Sequence, residues 1–286
     1  MLATNFQEMK QNKKPKYRKS NRLKLADMAD RHDLYQKAVQ NVEGEIDVID
    51  QTFTKLTGRT ALSLREDFCG TANTSCEWIR RRENNIAFSV DLNQEVLNWG
   101  KEHNLQTLPQ TSLNRITLLK GNVLTTDTPL VDVVLAMNFS YQIFKTRETL
   151  AEYFHIVYGN LVENGVFFLD VFGGYEAFRE MEEATEYDEF TYVWDQHSYN
   201  PINGDITCLI HFRFPDGSKL KRAFVYNWRL WTLPEITELL KEVGFSRVLV
   251  YWEGTDEKTG EGNDVYLPTE HGQADAGWIC YVTAEK

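Results

Sequence analysis

The chain has 286 residues, a length that suits one large α/β domain with an insertion. Its net charge of -11 argues against a long nucleic acid as substrate, because an acidic protein repels phosphates. No stretch is apolar enough for a membrane span or a signal peptide, which favours a cytoplasmic protein. The four cysteines lack C-x-x-C spacing, so neither a metal site nor a disulfide framework is expected.

The basic side chains are concentrated at the start of the chain. Residues 1–24 contain eight Lys and Arg but only one acid, Glu8. This composition is typical of a disordered leader; a nuclear-import or nucleic-acid-binding tail is the alternative. Residues 25–60 then carry apolar side chains at three- and four-residue steps, which predicts helices. These helices precede the first strand of the core and are expected to cover its ligand-binding site.

A strand, a tight turn and a helix are predicted for residues 61–80, at the start of an α/β core that spans residues 61–172. Gly70 in the turn lets the backbone approach a ligand closely, because it has no side chain. The next apolar run ends at Asp91, twenty-one residues after Gly70. An acid at that place is how nucleotide-binding folds hold ribose hydroxyls, so the pair predicts a nucleoside site.

The turn lacks the G-x-G-x-x-G pattern of dinucleotide sites, and the acids Glu66 and Asp67 before it suit a cationic ligand. Residues 66–72, EDFCGTA, resemble the first motif of class I S-adenosylmethionine-dependent methyltransferases, except that Phe68 and Ala72 replace two glycines. The resemblance implies S-adenosyl-L-methionine as cofactor, bound by Glu66, Phe68, Cys69, Gly70, Thr71, Asp91 and Leu92. An ordinary βα turn without a ligand is the alternative, and Cys69 reads as a compact packing residue rather than a nucleophile.

The resemblance extends to the ends of the next strands of the core. Asn122, followed by Val123, fits the position that meets the adenine amino group in this family. A continuous apolar strand over residues 131–137 ends at Asn138, Phe139, Ser140 and Tyr141, which resemble the family's fourth motif. Asn138 could accept a hydrogen bond from the methyl acceptor, and Phe139 and Tyr141 could flank the sulfonium; a polar turn is the alternative. Asp170 is a reserve candidate for general base or a structural aspartate.

An antiparallel insertion of roughly three strands, rich in aromatic residues, is predicted for residues 173–232. Small-molecule methyltransferases often carry such an insertion as a lid over the substrate, although alternating aromatics also build the core of a small sheet. The candidate substrate residues of the insertion and of the preceding helices are Tyr35, Gln40, Trp194, Arg213, Tyr226 and Arg229.

Residues 233–286 complete the predicted core with a helix over 234–243, a strand over 247–252, a loop over 253–276 and a strand over 277–284. The expected fold is a seven-stranded, mostly parallel Rossmann-like sheet with an antiparallel last strand and helices on both faces. The expected function is methyl transfer to N or O of a small molecule. A protein or tRNA methyltransferase guided by the basic arm, and a non-catalytic nucleoside-binding partner protein, are the alternatives. The residues leave open whether the protein is a monomer or a homodimer.

Overall fold

The computed structural model describes residues 23–255 and 262–286. Its helices are α1 (Leu25–Met28), α2 (Arg31–Val39), α3 (Val42–Thr57), α4 (Asn73–Arg81), α5 (Gln94–His103), α6 (Arg147–Asn160) and α7 (Leu233–Val243). The main sheet contains β1 (Ser63–Asp67), β2 (Ile86–Asp91), β3 (Ile116–Lys120), β4 (Val131–Ala136), β5 (Leu161–Gly173), β10 (Arg247–Thr255), β11 (Gly262–Pro268) and β12 (Trp278–Glu285). A second sheet contains β6 (Met181–Glu186), β7 (Thr191–Asn200), β8 (Asp205–Arg213) and β9 (Lys219–Arg229).

The main sheet has the strand order β11-β10-β12-β5-β4-β1-β2-β3, and the strands from β3 to β5 run parallel. Every residue of β4, Val131–Ala136, is buried, as expected for a central strand with helices on both faces. The strand order reverses direction between β1 and β4, so the carboxyl ends of these strands open a crevice at one edge of the sheet. The predicted Rossmann-like α/β class is confirmed.

The antiparallel last strand is also present, because β12 lies between β5 and β10 and pairs antiparallel with both. The expected count of seven strands was wrong, since β11 adds an eighth at the sheet edge where a loop was predicted. The two apolar side chains of β11, Val265 and Leu267, are largely exposed. Tyr266 between them packs against Tyr281 with ring centroids 4.6 Å apart, and one inward-facing residue is too little alternation to identify a strand from the sequence.

The insertion forms four strands rather than three. The unpredicted strand β6 has the sequence MEEATE and is largely exposed, so it has no buried apolar face. Turns with Gly204 and Gly217 at φ 75° and 78° join β7 to β8 and β8 to β9, which pair antiparallel. Residues of β8 alternate between two faces of the sheet, and Ile210 and Phe212 pack against Leu34 of α2.

The leader helices α2 and α3 join the insertion to the main sheet. Leu34 of α2 packs into the insertion, whereas Ile46, Ile49 and Phe53 of α3 pack against the main sheet. No helix among the described residues is both long and apolar enough to cross a membrane. Most of the basic leader predicted for residues 1–24 lies outside the described residues.

Candidate active site

The turn after β1 is fastened to the end of β2 by Asp91. The amide of Gly70 donates a hydrogen bond to the Asp91 carboxylate at 2.9 Å, and the amide of Cys69 donates to the Val90 carbonyl at 3.0 Å. Gly70 has φ +54°, and a Cβ placed there would meet nothing closer than Val96 at 3.9 Å. The backbone therefore borders open space beside a carboxylate, which is the arrangement that a nucleoside site requires.

The two residues that replace the usual glycines keep a backbone conformation typical of glycine. Phe68 and Ala72 have φ 57° and 56°, in the left-handed region, which costs roughly 1–2 kcal/mol for a residue with a side chain. The ring of Phe68 compensates by packing against Phe144 and Tyr153, with centroids 5.9 and 5.6 Å away. The loop thus has the expected shape without the expected glycines.

The two acids before the turn have different surroundings. Glu66 is buried and accepts hydrogen bonds from the amide of Ser75, at 2.9 Å, and from the Ser75 hydroxyl. Burial, followed by the charges of Asp91 and Asp67, raises the pKa of Glu66 to about 7 although the Ser75 bonds oppose the shift. Asp67 instead points into the core, where it accepts from Arg65 at 2.8 Å and Tyr153 at 3.0 Å. Glu66 and Asp91 therefore act electrostatically on the same crevice, and Asp67 does not face its opening.

Three further predicted cofactor residues lie along the same edge. Leu92, directly after Asp91, is 69% exposed, and Asn122 after β3 accepts the Leu124 amide at 3.0 Å through its side chain. One lone pair of the Asn122 oxygen remains for a ligand. The side chain of Val123 is buried in the core and its carbonyl accepts from Arg65 at 3.0 Å, so neither of these groups faces the crevice.

Asp170 holds the turn that follows β4. Its two carboxylate oxygens accept the backbone amides of Asn138 and Phe139, both at 2.8 Å. Those residues have φ 56° and 57°, so two consecutive residues occupy the left-handed region. Burial raises the pKa of Asp170 to about 7, against the opposing effect of the amide bonds. Asp170 is therefore both a structural aspartate and a carboxyl group able to exchange a proton near neutral pH.

Tyr141 lies in the core and not at the crevice, which corrects its predicted place beside the sulfonium. Its side chain is fully buried, and its hydroxyl donates to the carbonyl of Asp170 at 3.0 Å. The short 3₁₀ turn Ser140–Ile143 directs it into the main core, where burial raises its pKa well above the usual value. A residue enclosed in this way cannot flank a sulfonium.

An aromatic wall faces the turn that Asp170 holds. Its members come from α2, the main sheet and the insertion, and they are Tyr35, Phe139, Phe172, Trp194, Tyr226 and Trp228. Phe139 lies 4.8 Å from Phe172 and 6.5 Å from Trp228 between ring centroids, and Trp228 stacks on Tyr226 at 4.4 Å. Tyr35 packs against Phe224 of β9 with ring centroids 4.9 Å apart, in the same cluster as Tyr226. The structure brings the predicted residues Tyr35, Trp194 and Tyr226 together here and adds Phe172 and Trp228.

Neither of the two predicted arginines faces the aromatic wall. Arg213 follows Phe212 on β8 and lies on the opposite sheet face, where it pairs with Glu182 at 2.6 Å. The guanidinium of Arg229 lies 3.6 Å from the Trp231 ring centroid and pairs with Glu235 at 3.1 Å. It borders an outer cleft of about 590 Å³ that includes no residue of the wall. Neither Arg213 nor Arg229 therefore lies where it could contact a substrate at the aromatic wall, contrary to the prediction.

The leader helices lie against the turn and the start of α4. Gln36 donates to the Thr71 hydroxyl at 2.8 Å, and Gln40 accepts from Asn73 at 3.2 Å. A cleft of about 880 Å³ runs along the outer side of α2 and reaches Gln36. The turn is thus covered by α2, with this cleft on its solvent side.

Glu45 on α3 is a site residue that sequence reasoning missed. Its carboxylate accepts from the Thr74 hydroxyl at 3.4 Å, next to the Ser75 that holds Glu66. Burial, and then the charges of Asp170 and Glu66, raise the pKa of Glu45 to about 8. In the sequence this residue is indistinguishable from the acids that commonly open a helix, so no local pattern identifies it.

Several solved structures of methyltransferases resemble this chain in fold. Neither the family models nor the curated proteins contained a match to the chain. Among solved structures, an S-adenosylmethionine-dependent methyltransferase from Clostridium acetobutylicum is 16% identical, with TM-score 0.63, covering 89% of this chain and 96% of that chain. CalS10, an amino pentose methyltransferase from Micromonospora echinaspora, is 14% identical, with TM-score 0.62 and coverages of 89% and 96%. The sugar N-methyltransferase KedS8 from Streptoalloteichus is 15% identical, with TM-score 0.60 and coverages of 98% and 99%.

The chain has the class I methyltransferase fold. In this fold the point where the strand order reverses lies between β1 and β4, and the turn at Gly70 and the turn at Asn138 stand on its two sides. Asp91 and Asp170 each fasten one of these turns from the neighbouring strand. The methyltransferase fold thus brings both turns to the crevice where open α/β sheets bind ligands.

Proposed function

We propose that the chain is an S-adenosyl-L-methionine-dependent methyltransferase that acts on N or O of a small molecule. The observation that carries the proposal is the bond from Gly70 to Asp91 at the point where the strand order reverses. Asp91 suits a ribose, the exposed Leu92 offers an apolar surface to adenine, and the space above Gly70 admits the ligand. Glu66 adds negative charge, which fits a cationic cofactor and disfavours a phosphate.

S-adenosyl-L-methionine supplies a methyl group already activated by its sulfonium. The protein then needs to align the acceptor and exclude water, and alignment contributes up to roughly 7–11 kcal/mol to rate acceleration. The turn at Asn138 and the aromatic wall are placed to do this, with α2 covering the cofactor turn. Asp170 is available as a proton acceptor, because its pKa of about 7 lies near neutral pH.

A small acceptor is favoured by the enclosure of the site between the leader helices and the insertion. Tyr35 of α2 packs against Phe224 of β9 with ring centroids 4.9 Å apart, so the two segments meet over the site. CalS10 and KedS8 act on an amino pentose and on a sugar, and both resemble this chain over most of its length.

The four cysteines are unpaired and buried, which supports a reducing compartment such as the cytoplasm.

Calorimetric titration with S-adenosyl-L-methionine and S-adenosylhomocysteine tests the cofactor. We expect binding to the wild type and at least a tenfold loss in Asp91→Ala, because both a ribose acceptor and the anchor of Gly70 are removed. Absence of binding at millimolar ligand would refute the proposal. Formation of S-adenosylhomocysteine with a metabolite pool separates an enzyme from a non-catalytic nucleoside-binding protein.

The basic leader favours the second candidate, a protein or tRNA methyltransferase guided by the arm. Its eight basic side chains in residues 1–24 contrast with the acidic remainder of the chain. Removal of residues 1–22 tests this alternative. Unchanged turnover of the native acceptor counts against an arm-guided macromolecule, whereas a loss confined to protein or tRNA acceptors supports one.

A further inference from the structure

Building on the proposed methyl transfer, we propose that the acceptor is a small amine, held against the aromatic wall with the carboxylates of Glu45 and Asp170 beside its nitrogen. The inference depends on the proposed function for the methyl donor. It goes further by choosing nitrogen over oxygen and by giving Glu45 a role in recognising the acceptor.

The aromatic wall provides a surface that attracts cations. Trp194, Tyr226 and Trp228 lie within 6.4 Å of one another between ring centroids, on the sheet face turned towards the main domain. The face of an aromatic ring is electron-rich and binds an ammonium group, and tryptophan does so best. Apolar ring surface dominates the wall, whose polar atoms are the hydroxyls of Tyr35 and Tyr226 and the indole N–H groups of Trp194 and Trp228. The wall therefore offers cation binding and apolar contact more than hydroxyl recognition.

Asp170 lies next to this wall, because its carboxylate accepts the backbone amide of Phe139. Asp170 lies two residues after Phe168 on β5, so both side chains project from the sheet face that Ile46 and Ile49 of α3 cover. Glu45 directly precedes Ile46 at the start of that helix. The charge of Asp170 is the largest charge acting on Glu45, which places the two carboxyl groups in one electrostatic environment.

These carboxylates have no basic partner within the protein. Glu45 accepts from a hydroxyl, Glu66 from Ser75 and Asp170 from two backbone amides. Among residues 23–255 and 262–286, no Lys, Arg or His forms an ion pair with any of the three. Burial raises the pKa of Glu45 to about 8 and that of Asp170 to about 7, and a cation bound beside them would favour their ionised form. No three acidic, Cys or His side chains of the described residues are arranged to hold a metal, which favours an organic cation at this place.

The methyl donor accounts for only part of this negative charge. Glu66 and Asp91 lie at the Gly70 turn and are the acids nearest to the proposed cofactor. Glu45 and Asp170 extend the negative region from there towards the turn at Asn138, where the acceptor would lie. A second cation beside the donor fits this distribution, because it would stabilise the ionised form of the two carboxylates, which a neutral alcohol would not do.

Glu45 and Asp170 can accept the proton that an ammonium group must lose before its nitrogen is methylated. An amine that enters as an ammonium gives one proton to Glu45 or Asp170, which restores the nitrogen lone pair. That lone pair forms the new C–N bond as the donor's C–S bond breaks and its electron pair passes to sulfur. The N-methylated product keeps one positive charge, and the carboxyl group returns its proton to water.

Equilibrium binding provides a test that does not depend on turnover. The protein is first saturated with S-adenosylhomocysteine, whose affinity is measured separately, and then titrated with matched probes: phenethylamine against phenethyl alcohol, and cyclohexylamine against cyclohexanol. We expect each amine to bind at least tenfold more tightly than its alcohol. In Glu45→Gln the preference should fall to threefold or less, with S-adenosylhomocysteine affinity within threefold of wild type.

Glu43→Gln is the matched control, because Glu43 is an exposed acid on the same helix, and it should keep the wild-type preference. Trp194→Leu tests the aromatic wall independently and should weaken amine binding by at least about threefold. Equal binding of amine and alcohol, no binding of either amine at millimolar concentration, or an unchanged preference in Glu45→Gln would overturn the inference. Failure to bind S-adenosylhomocysteine would instead refute the proposed function.

Discussion

The carboxylate of Asp170 accepts the backbone amide of Phe139 at 2.8 Å, and its second oxygen accepts the adjacent amide of Asn138. Two consecutive left-handed residues would be unfavourable without such a clamp. We expect Asp170→Asn to lower the free energy of unfolding by about 1.5–3 kcal/mol, because one amide would then face an NH₂ donor. Urea denaturation and turnover of an acceptor should both show the loss.

Tyr141→Phe is the control for this substitution. It removes the hydroxyl that donates to the Asp170 carbonyl but leaves the clamp intact. We expect a stability loss of about 0.5–1.5 kcal/mol with turnover close to wild type. If Tyr141→Phe abolishes turnover while Asp170→Asn leaves it unchanged, the roles assigned to these two residues are reversed.

Substitution of Gly70 separates cofactor binding from stability. In Gly70→Ala the new Cβ meets only Val96 within 4 Å, so the cost in unfolding free energy should be limited to roughly 1–2 kcal/mol of backbone strain. The same Cβ enters the space assigned to the cofactor, and affinity for S-adenosyl-L-methionine should fall at least tenfold. Gly58→Ala at the end of α3, with φ +71° and open surroundings, should be destabilised similarly yet bind within twofold of wild type. Equal affinities in the two variants would remove Gly70 from the site.

The core beneath the site depends on a buried ion pair. Arg65 donates to Asp67 at 2.8 Å and to the Thr126 and Val123 carbonyls at 2.9 and 3.0 Å. Arg65→Met leaves Asp67 buried without its partner, and we expect a loss of about 3–5 kcal/mol in unfolding free energy. Arg213→Met breaks the surface pair with Glu182 and should cost less than about 1 kcal/mol. Denaturation curves for both variants measure the difference.

Arg213→Met also tests whether Arg213 contacts the methyl acceptor. Because Arg213 lies on the sheet face opposite to the aromatic wall, its substitution should leave turnover within twofold of wild type. A large rise in the KM for the acceptor would return Arg213 to the site.

The proposed cofactor-binding part of the site could be predicted because its sequence patterns are local. The turn at Gly70 follows from a strand, a glycine and a helix in succession, and Asp91 follows from the next strand end. Parallel strand ends meet at one edge of a sheet, so the proximity of these residues does not depend on distant packing. The left-handed backbone of Phe68 and Ala72 shows that the motif's shape is kept where its glycines are lost.

The proposed acceptor-binding part of the site could not be predicted, because the positions of its residues depend on tertiary structure. The direction of Tyr141 is set by one short turn, and the position of Glu45 by the way α3 crosses the sheet. The insertion has buried apolar residues on both faces, such as Val193 on one and Phe212 on the other, so alternation alone cannot assign Arg213 to a side. The acidic strand β6 has no apolar face at all, and its pairing with β7 was therefore invisible in the sequence.

The raised pKa of Glu45 predicts a specific dependence of stability on pH. Its folded-state pKa of about 8 exceeds the ordinary value of 4.5, so ionisation is disfavoured by folding. The stabilising contribution is complete below about pH 4.5 and is lost as the pH rises towards 8. In ligand-free protein, Glu45→Gln should therefore match wild type near pH 4.5 and become progressively more stable than it between pH 5 and 8. The difference should grow by at most about 1.4 kcal/mol per pH unit.

Urea denaturation at four pH values across this window measures the effect, with Glu43→Gln as the control. Glu43 is exposed on the same helix, so its substitution should leave the pH dependence of wild type unchanged. Comparing each variant with wild type cancels the contributions of titrating groups far from Glu45, whereas Glu66 and Asp170 interact with it and contribute to the measured difference. A wild-type protein that stays as stable as Glu45→Gln at pH 8 would show that the Glu45 carboxylate is fully solvated in the folded state. The carboxylate would then need no cation from the acceptor.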